Sequence, residues 1–359
     1  MHNVKRLSAE KRAAQRKENE ERAATYRGRS QAALERRKAK LYDDESLAAV
    51  ARVVQENPDF ATLWNFRREV LQNMHPDAPQ AAAAAAAAAG KSDEGAAASQ
   101  IDLSEPVDPS EARRVACAAE FQLTQECLGI NPKSYPVWYH RQWVLEWGRC
   151  AWQWPVEIKL TGKLLALDDR NFHCWTYRRF VVRVASVAAE AELAFTTQKI
   201  EANFSNYSAW HYRSKLLPTI YQEGGGAGGA AGAQTLGTVL RDELQLVRNA
   251  FFTAPEDSSA WFYHRWLLAQ LRPGARSAAP PEEYHGVVRE ELGMVEELLE
   301  LEPGCKWVLA AAAFLGRELD AASAAAADAR LTELQAVDPL RARFYADQRR
   351  TAPATATPS

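Results

Sequence analysis

Hydrophobic and polar positions along this 359-residue chain follow the 3.6-residue period of amphipathic helices, in blocks that resemble one another. Each block holds a tryptophan followed three or four residues later by an arginine: Trp64/Arg67, Trp138/Arg141, Trp175/Arg178, Trp210/Arg213 and Trp261/Arg265. The text around these anchors reads NPDFATLWNFRREVL, NPKSYPVWYHRQWVL, DDRNFHCWTYRRFVV, NFSNYSAWHYRSKLL and PEDSSAWFYHRWLLA. On a helix the tryptophan, the arginine and the later aliphatics, for example Trp138, Arg141, Val144 and Leu145, share one face, which must be buried. Turn residues lie several positions upstream (Asn57-Pro58, Asn131-Pro132, Asp168-Asp169, Asn203 and Pro255-Glu256) and suit a helix entry, because Asn and Asp side chains cap orphan amides. Trp138, Trp175 and Trp210 are 37 and 35 residues apart, room for two helices and two short turns. Intervening segments such as Pro155–Leu167 and Leu240–Phe252 carry amphipathic stripes of their own and supply the other helix of each pair. No segment alternates with period two over a useful length, so strands are not expected. The pattern predicts an all-α solenoid of helical hairpins.

Two longer gaps interrupt the period. Trp64 to Trp138 spans 74 residues and contains a low-complexity stretch, about 76–109, with nine consecutive alanines from Ala81 to Ala89. Trp210 to Trp261 spans 51 and contains a glycine-rich run, about 223–234. Both are read as flexible insertions between regular hairpins. Gly90-Lys91-Ser92 imitates the end of a phosphate-binding loop, but the first glycine of that loop would fall on Ala85 and no strand precedes it.

Net charge is −2, unevenly placed: residues 1–41 hold 13 Lys and Arg against 5 acidic residues. The expected organisation is therefore a basic N-terminal arm or first helix (1–40), one helical-repeat domain (41–350) and a disordered tail (351–359). Glu10, Glu18, Glu20 and Glu21 interrupt the basic arm at the spacing of a solvated helix, and nucleic-acid binding is not expected. Five cysteines without a CxxC pair indicate a reducing compartment and thiols used for packing. No apolar run is long enough for a membrane span and the start has no signal-peptide core, so a cytoplasmic protein is expected. The end, ATATPS, has no prenyl-acceptor cysteine.

The repeated Trp and Arg are themselves read as scaffold, with indoles filling the space between hairpins and guanidinium groups satisfying carbonyls at helix ends. The candidate chemistry lies just before them. Lys133 and Tyr135 precede Trp138 by five and three residues and His173 precedes Trp175 by two, which sets all three at helix N-termini on one rim. Such a rim suits an anion such as a diphosphate.

The NPKSYPVWYHR, DDRNFHCWTYRRF and NFSNYSAWHYRS units resemble the α-subunit repeats of the protein prenyltransferases, and the likeness runs from Met1 to about residue 350 outside the two insertions. The opening MH with its basic helix, LVRNAFFTAPEDSSAWFYHRWLL and the closing LQAVDPLRARFYAD resemble in particular the α subunits of the type II, Rab-modifying branch. The resemblance implies a right-handed, crescent-shaped superhelix of hairpins wrapped around a prenyltransferase β subunit that carries the zinc. It also implies geranylgeranyl diphosphate as donor, Rab GTPases as acceptors and a Rab escort protein to deliver them. Within the family's PK(N/S)Y motif the diphosphate-contacting lysine falls on Lys133 and the tyrosine on Tyr135, and the Asn and His of the next repeat fall on Asn171 and His173. Catalytic roles are expected for Lys133, Tyr135 and His173, and substrate contacts for Lys133, Asn171 and His173.

Two departures matter. Pro136 stands where the farnesyltransferase and type I α subunit carries a glutamine that touches its peptide, so direct reading of a short C-terminal motif is not expected. In the fifth unit His264 takes the arginine's place and the arginine moves to Arg265. His2 is a candidate autoinhibitory ligand for the partner's zinc, a disordered terminus being the simpler reading. The farnesyltransferase and type I α subunit and a non-catalytic helical scaffold remain as alternatives, and the four rim residues Lys133, Tyr135, Asn171 and His173 separate a transferase from a scaffold. A minimal chain with no further domain after the helices is expected.

Overall fold

A computed structural model describes residues 9–76, 110–223, 236–275 and 280–350, and every regular element among them is helical. The chain opens on α1 (Ala9–Lys38), whose first half is exposed. Hairpins follow: α2 (Asp44–Val54) with α3 (Ala61–Met74), α4 (Glu111–Ile130) with α5 (Tyr135–Trp147), α6 (Trp154–Leu167) with α7 (Phe172–Val184), α8 (Ala189–Ala202) with α9 (Tyr207–Glu223), and α10 (Leu236–Thr253) with α11 (Ser258–Leu271). Then come α12 (Pro281–Leu301) with α13 (Lys306–Gly316) and α14 (Ala321–Val337) with α15 (Ala342–Arg350). The helices expected from the stripes at Pro155–Leu167 and Leu240–Phe252 are α6 and α10. His2, the tail and nearly all of both insertions lie outside the described residues.

The chain divides into two compact units, Met1–Ser186 and Val187–Ser359. In the first, α1 packs on α2 and α3, and the second helices of successive hairpins, α3, α5 and α7, pack in sequence. In the other, α9 packs on α11 and α11 on α13. The core of each unit lies between its layers of helices; Trp64, Trp138 and Trp175 are in the first core and Trp210 and Trp261 in the second, each less than a twentieth exposed.

Each anchor indole closes the turn before its own helix. Trp64, Trp138, Trp175, Trp210 and Trp261 donate through Nε1, at 2.8 Å in every case, to the carbonyl six residues earlier, those of Pro58, Pro132, Asp169, Phe204 and Pro255. The ring is thus buried without an unsatisfied donor.

The upstream turn residues do something other than cap. Asn57, Asn131, Asp168 and Asn203 accept through Oδ1 from the backbone N–H two residues on, at Asp59, Lys133, Arg170 and Ser205, which folds each hairpin loop into an Asx turn. In the third and fourth units the caps stand three residues further along, Asn171 Oδ1 accepting from His173 and Cys174 N–H and Asn206 Oδ1 from Ala209 N–H, and in the fifth Asp257 Oδ1 accepts from Ser259 N–H. A turn residue too far from the helix to reach its free amides satisfies the loop instead.

The arginines also differ from expectation. Their carbonyl partners sit inside the first helix of the same hairpin, twenty residues back, rather than at helix ends: Arg67 donates to Leu47 O, Arg141 to Phe121 O, Arg178 to Ile158 O and Arg213 to Leu193 O. Arg67, Arg141 and Arg213 also fork onto a buried carboxylate of the following hairpin. Arg67 binds Glu120 at 2.6 Å through both Nε and Nη2, Arg141 binds Glu157 at 2.7 and 2.6 Å, and Arg213 binds Glu243 at 2.5 and 2.6 Å. The same carboxylates accept from their own hairpin: His140 Nε2 lies 2.9 Å from Glu120, Tyr177 Oη 2.8 Å from Glu157 and Tyr263 Oη 2.7 Å from Glu243.

The fifth unit requires a correction. Arg265 is exposed and stacks over the Phe314 ring, its guanidinium 4.8 Å from the ring centroid, so it is not an anchor. His264 occupies the anchor position, fully buried, with Nε2 2.9 Å from Glu291, whose other oxygen takes Arg248 at 2.9 and 2.6 Å.

Two outcomes follow. Arg141→Ala strands Glu157 as an unpaired buried charge and should cost about 3–5 kcal/mol, read from chemical denaturation, against less than about 0.5 kcal/mol for Arg265→Ala. Burial alone would raise the Glu120 carboxyl, but Arg67 and His140 overcome it and hold its pKa at about 2, below the ordinary 4.5. The sign is that of a depressed acid, so this stabilisation is complete above the unfolded pKa and disappears as pH falls from about 4.5 towards 2. Denaturation curves across that window should show Glu120→Gln less stable than the native chain at pH 6 and flatter in its loss on acidification.

Candidate functional site

The hairpin loops between α4 and α5 and between α6 and α7 bring the predicted residues together. Lys133 sits in the Asx turn before α5, its backbone N–H bound to Asn131 and its side chain about two-thirds exposed. The ammonium lies 3.0 Å from Asp168 Oδ2 at the end of α6. Tyr135, the first residue of α5, is exposed, and its ring meets His173 on α7 edge-on at 5.7 Å. His173 is half-buried beside Phe172, their rings 3.9 Å apart. Burial and then the positive charge of Lys133 lower the His173 pKa, so the imidazole is neutral at neutral pH and offers one N–H.

Asn171 is placed otherwise than expected. It is 2% exposed, and both ends of its amide are engaged: Oδ1 caps α7 while Nδ2 donates to Pro132 O at 2.9 Å, joining the two loops. It therefore fixes where His173 starts its helix relative to Lys133 and presents no face to a ligand. A shallow groove between α5 and α7 is lined by Tyr135 and His173 together with Tyr139, Gln142, Phe172 and Thr176, over Trp138 and Tyr177.

Three features of this region escaped the sequence reading. Asp168 reads in the sequence only as a turn residue, and its pairing with Lys133 depends on a contact between adjacent loops. The aromatic wall of Tyr139 and Phe172, both more than half exposed, was hidden within the repeat text. Glu120 and Glu157, which align the helices beneath the rim, stand inside apolar stripes, as in CAAEFQL and PVEI, and a carboxylate at a core position of a helix was the signal that could have found them.

The protein prenyltransferase alpha subunit repeat matches at residues 43–74, 117–148, 154–184, 189–220 and 240–271, which are the first five hairpins. Geranylgeranyl transferase type-2 subunit alpha of Dictyostelium discoideum is 35% identical over 312 residues, 86% of this chain and 86% of that one. The chain belongs to the protein prenyltransferase α-subunit family. The namesake from Rattus norvegicus is 42% identical over 269 residues, 75% of this chain, and that from Candida albicans 28% identical over 388 residues, 97% of each. The chain spans 41% of the length of the rat relative. Among solved structures, Candida albicans protein geranylgeranyltransferase-I complexed with GGPP shares the fold, with a TM-score of 0.63 at 19% identity over 92% of this chain and 91% of that one. These relatives place this prenyltransferase α-subunit chain with the type-2 α subunits. Among the described residues no helix is long and apolar enough to cross a membrane, and no group of three or more His, Cys, Asp or Glu is arranged to hold a metal ion.

Asn171→Ala should remove the α7 cap and the bridge to Pro132 and cost about 1–2 kcal/mol, whereas Asn171→Asp, which keeps the capping oxygen, should recover part of that loss. Thermal melts of the two variants check the order.

Proposed function

We propose that this chain is the α subunit of a heterodimeric Rab geranylgeranyltransferase, contributing the diphosphate-binding rim to an active site completed by a β subunit. The juxtaposition of Lys133, Tyr135 and His173 on two adjacent loops, with the lysine in an exposed pair, carries this reading. An exposed lysine–aspartate pair is worth about 0–1 kcal/mol, so Lys133 leaves Asp168 readily for a more highly charged anion.

In the transfer, a cysteine sulfur of the Rab attacks C1 of geranylgeranyl diphosphate, the C1–O bond breaks, and the diphosphate departs with the electron pair. Zinc, which we assign to the β subunit, supplies an activated thiolate when bound. The residues of this chain act at the other end of the breaking bond. Negative charge grows on the leaving oxygens, so an ammonium at Lys133 and O–H and N–H donors at Tyr135 and His173 gain strength from ground state to transition state. Asn171 acts through position, holding the two loops in register. Acceptance of intact Rab proteins with an escort protein, rather than free peptides, agrees with Pro136, which has no side-chain donor for a peptide terminus. A cytoplasmic location belongs to the same reading.

Co-expression with candidate β subunits, followed by an assay of geranylgeranyl transfer to a Rab with and without escort protein, tests this. Lys133→Ala should lower kcat about 10²-fold while leaving the heterodimer assembled on a sizing column. Escort-independent transfer to a short C-terminal peptide would move the chain to the farnesyl and type I branch. Failure of every β subunit to bind would leave a scaffold.

A further inference from the structure

All five cysteines are buried and unbridged, but two of them share a neighbour. Gly148 ends α5 with helical backbone angles (φ −82°, ψ −5°) that any residue adopts, so its lack of a side chain is not a backbone requirement. A Cβ built there would lie 2.2 Å from Cys117 Sγ and 2.6 Å from Cys150 Sγ. Both sulfurs therefore occupy the space the glycine leaves open, side by side, and both residues are wholly buried. The chain turns sharply to make this possible. Arg149 is left-handed at φ 46°, and Cys150 N–H donates back to Leu145 O at 3.1 Å, which folds Cys150 against the end of α5. Cys127, Cys174 and Cys305 face backbone carbonyls, those of Val54, Thr161 and Pro255.

We propose that Cys117 and Cys150 form a reversible disulfide that ties α4 to the end of α5. Cys117 lies in the second turn of α4 and Cys150 just beyond α5, so the bond closes this hairpin at the end opposite the loop that carries Lys133. The reactant that balances the step is a small disulfide such as glutathione disulfide. One protein thiolate attacks a glutathione sulfur and expels one glutathione thiolate; the second protein sulfur then attacks the mixed disulfide and expels the other. Two electrons pass from the protein thiols to the glutathione disulfide, and the two thiol protons end on the two glutathiones. The hydrogen bond that the Cys150 S–H donates to Cys117 and burial together raise the Cys150 pKa well above its ordinary value, so exchange is slow in the closed hairpin and proceeds when the turn at Arg149 opens.

The full chain would be held with excess glutathione disulfide under native conditions for days, then denatured, alkylated with iodoacetamide, digested and mapped by mass spectrometry. The expected result is a single Cys117–Cys150 cross-linked peptide, with the other cysteines alkylated, and a melting temperature that rises and returns on adding dithiothreitol. Five alkylated cysteines after the full incubation would overturn the proposal, as would a bridge between any other pair or a fall in melting temperature on forming this one. The glutathione-free chain gives an independent check. Gly148→Ala should lower the melting temperature by several degrees, and adding Cys117→Ala should recover part of that loss; no recovery would show that the sulfurs do not meet at Gly148.

Discussion

A carboxylate buried between helices is the constraint on which the rest of this structure depends. Glu120, Glu157, Glu243 and Glu291 are all nearly inaccessible, and removing a charge from water costs several kcal/mol unless its oxygens are filled. Glu120, Glu157 and Glu243 each find donors from two hairpins, a guanidinium from the preceding one and a histidine or tyrosine from their own second helix, and Glu291 takes both Arg248 and His264 from the hairpin before it. A fork of two parallel N–H groups accepts little misalignment. Apolar side chains would tolerate neighbouring hairpins sliding past one another by part of a turn, and the fork does not. The ion pairs thus act mainly on register, while the tryptophans and aliphatics contribute the burial energy.

Much of this scaffold was legible in the sequence. The hairpins, their order and the buried Trp and Arg all follow from one recurring text with helical spacing. The carboxylates were not legible because the distance from each arginine to its glutamate varies, 53 residues from Arg67 to Glu120 but 16 from Arg141 to Glu157. Insertions between hairpins change that distance without changing the contact. The reverse holds for the carbonyl twenty residues back, which lies within one hairpin and keeps its spacing in four repeats. Arg265 misled for a related reason: a one-residue shift along a helix rotates a side chain by about 100°, from the core to the surface, although the text scarcely changes.

The rim was legible in a different way. Resemblance pointed to four residues, and the structure separates them by what each still has to offer. Asn171 has both ends of its amide committed to the scaffold, whereas Lys133 and Tyr135 are exposed and His173 is half-buried beside them. Spacing alone does not draw that distinction, because it depends on which loop carbonyl lies within reach.

The Asx turns carry a consequence for how such a repeat can change. At Asp59, Lys133, Arg170 and Ser205 the turn uses the backbone N–H and makes no demand on the side chain. These four positions have already diverged to an acid, two bases and a hydroxyl while the turn beneath them has kept its geometry. A repeat protein built this way holds a row of addressable sockets whose contents can be exchanged without renegotiating the fold, and a lysine in one of them is a choice of chemistry made at almost no structural expense.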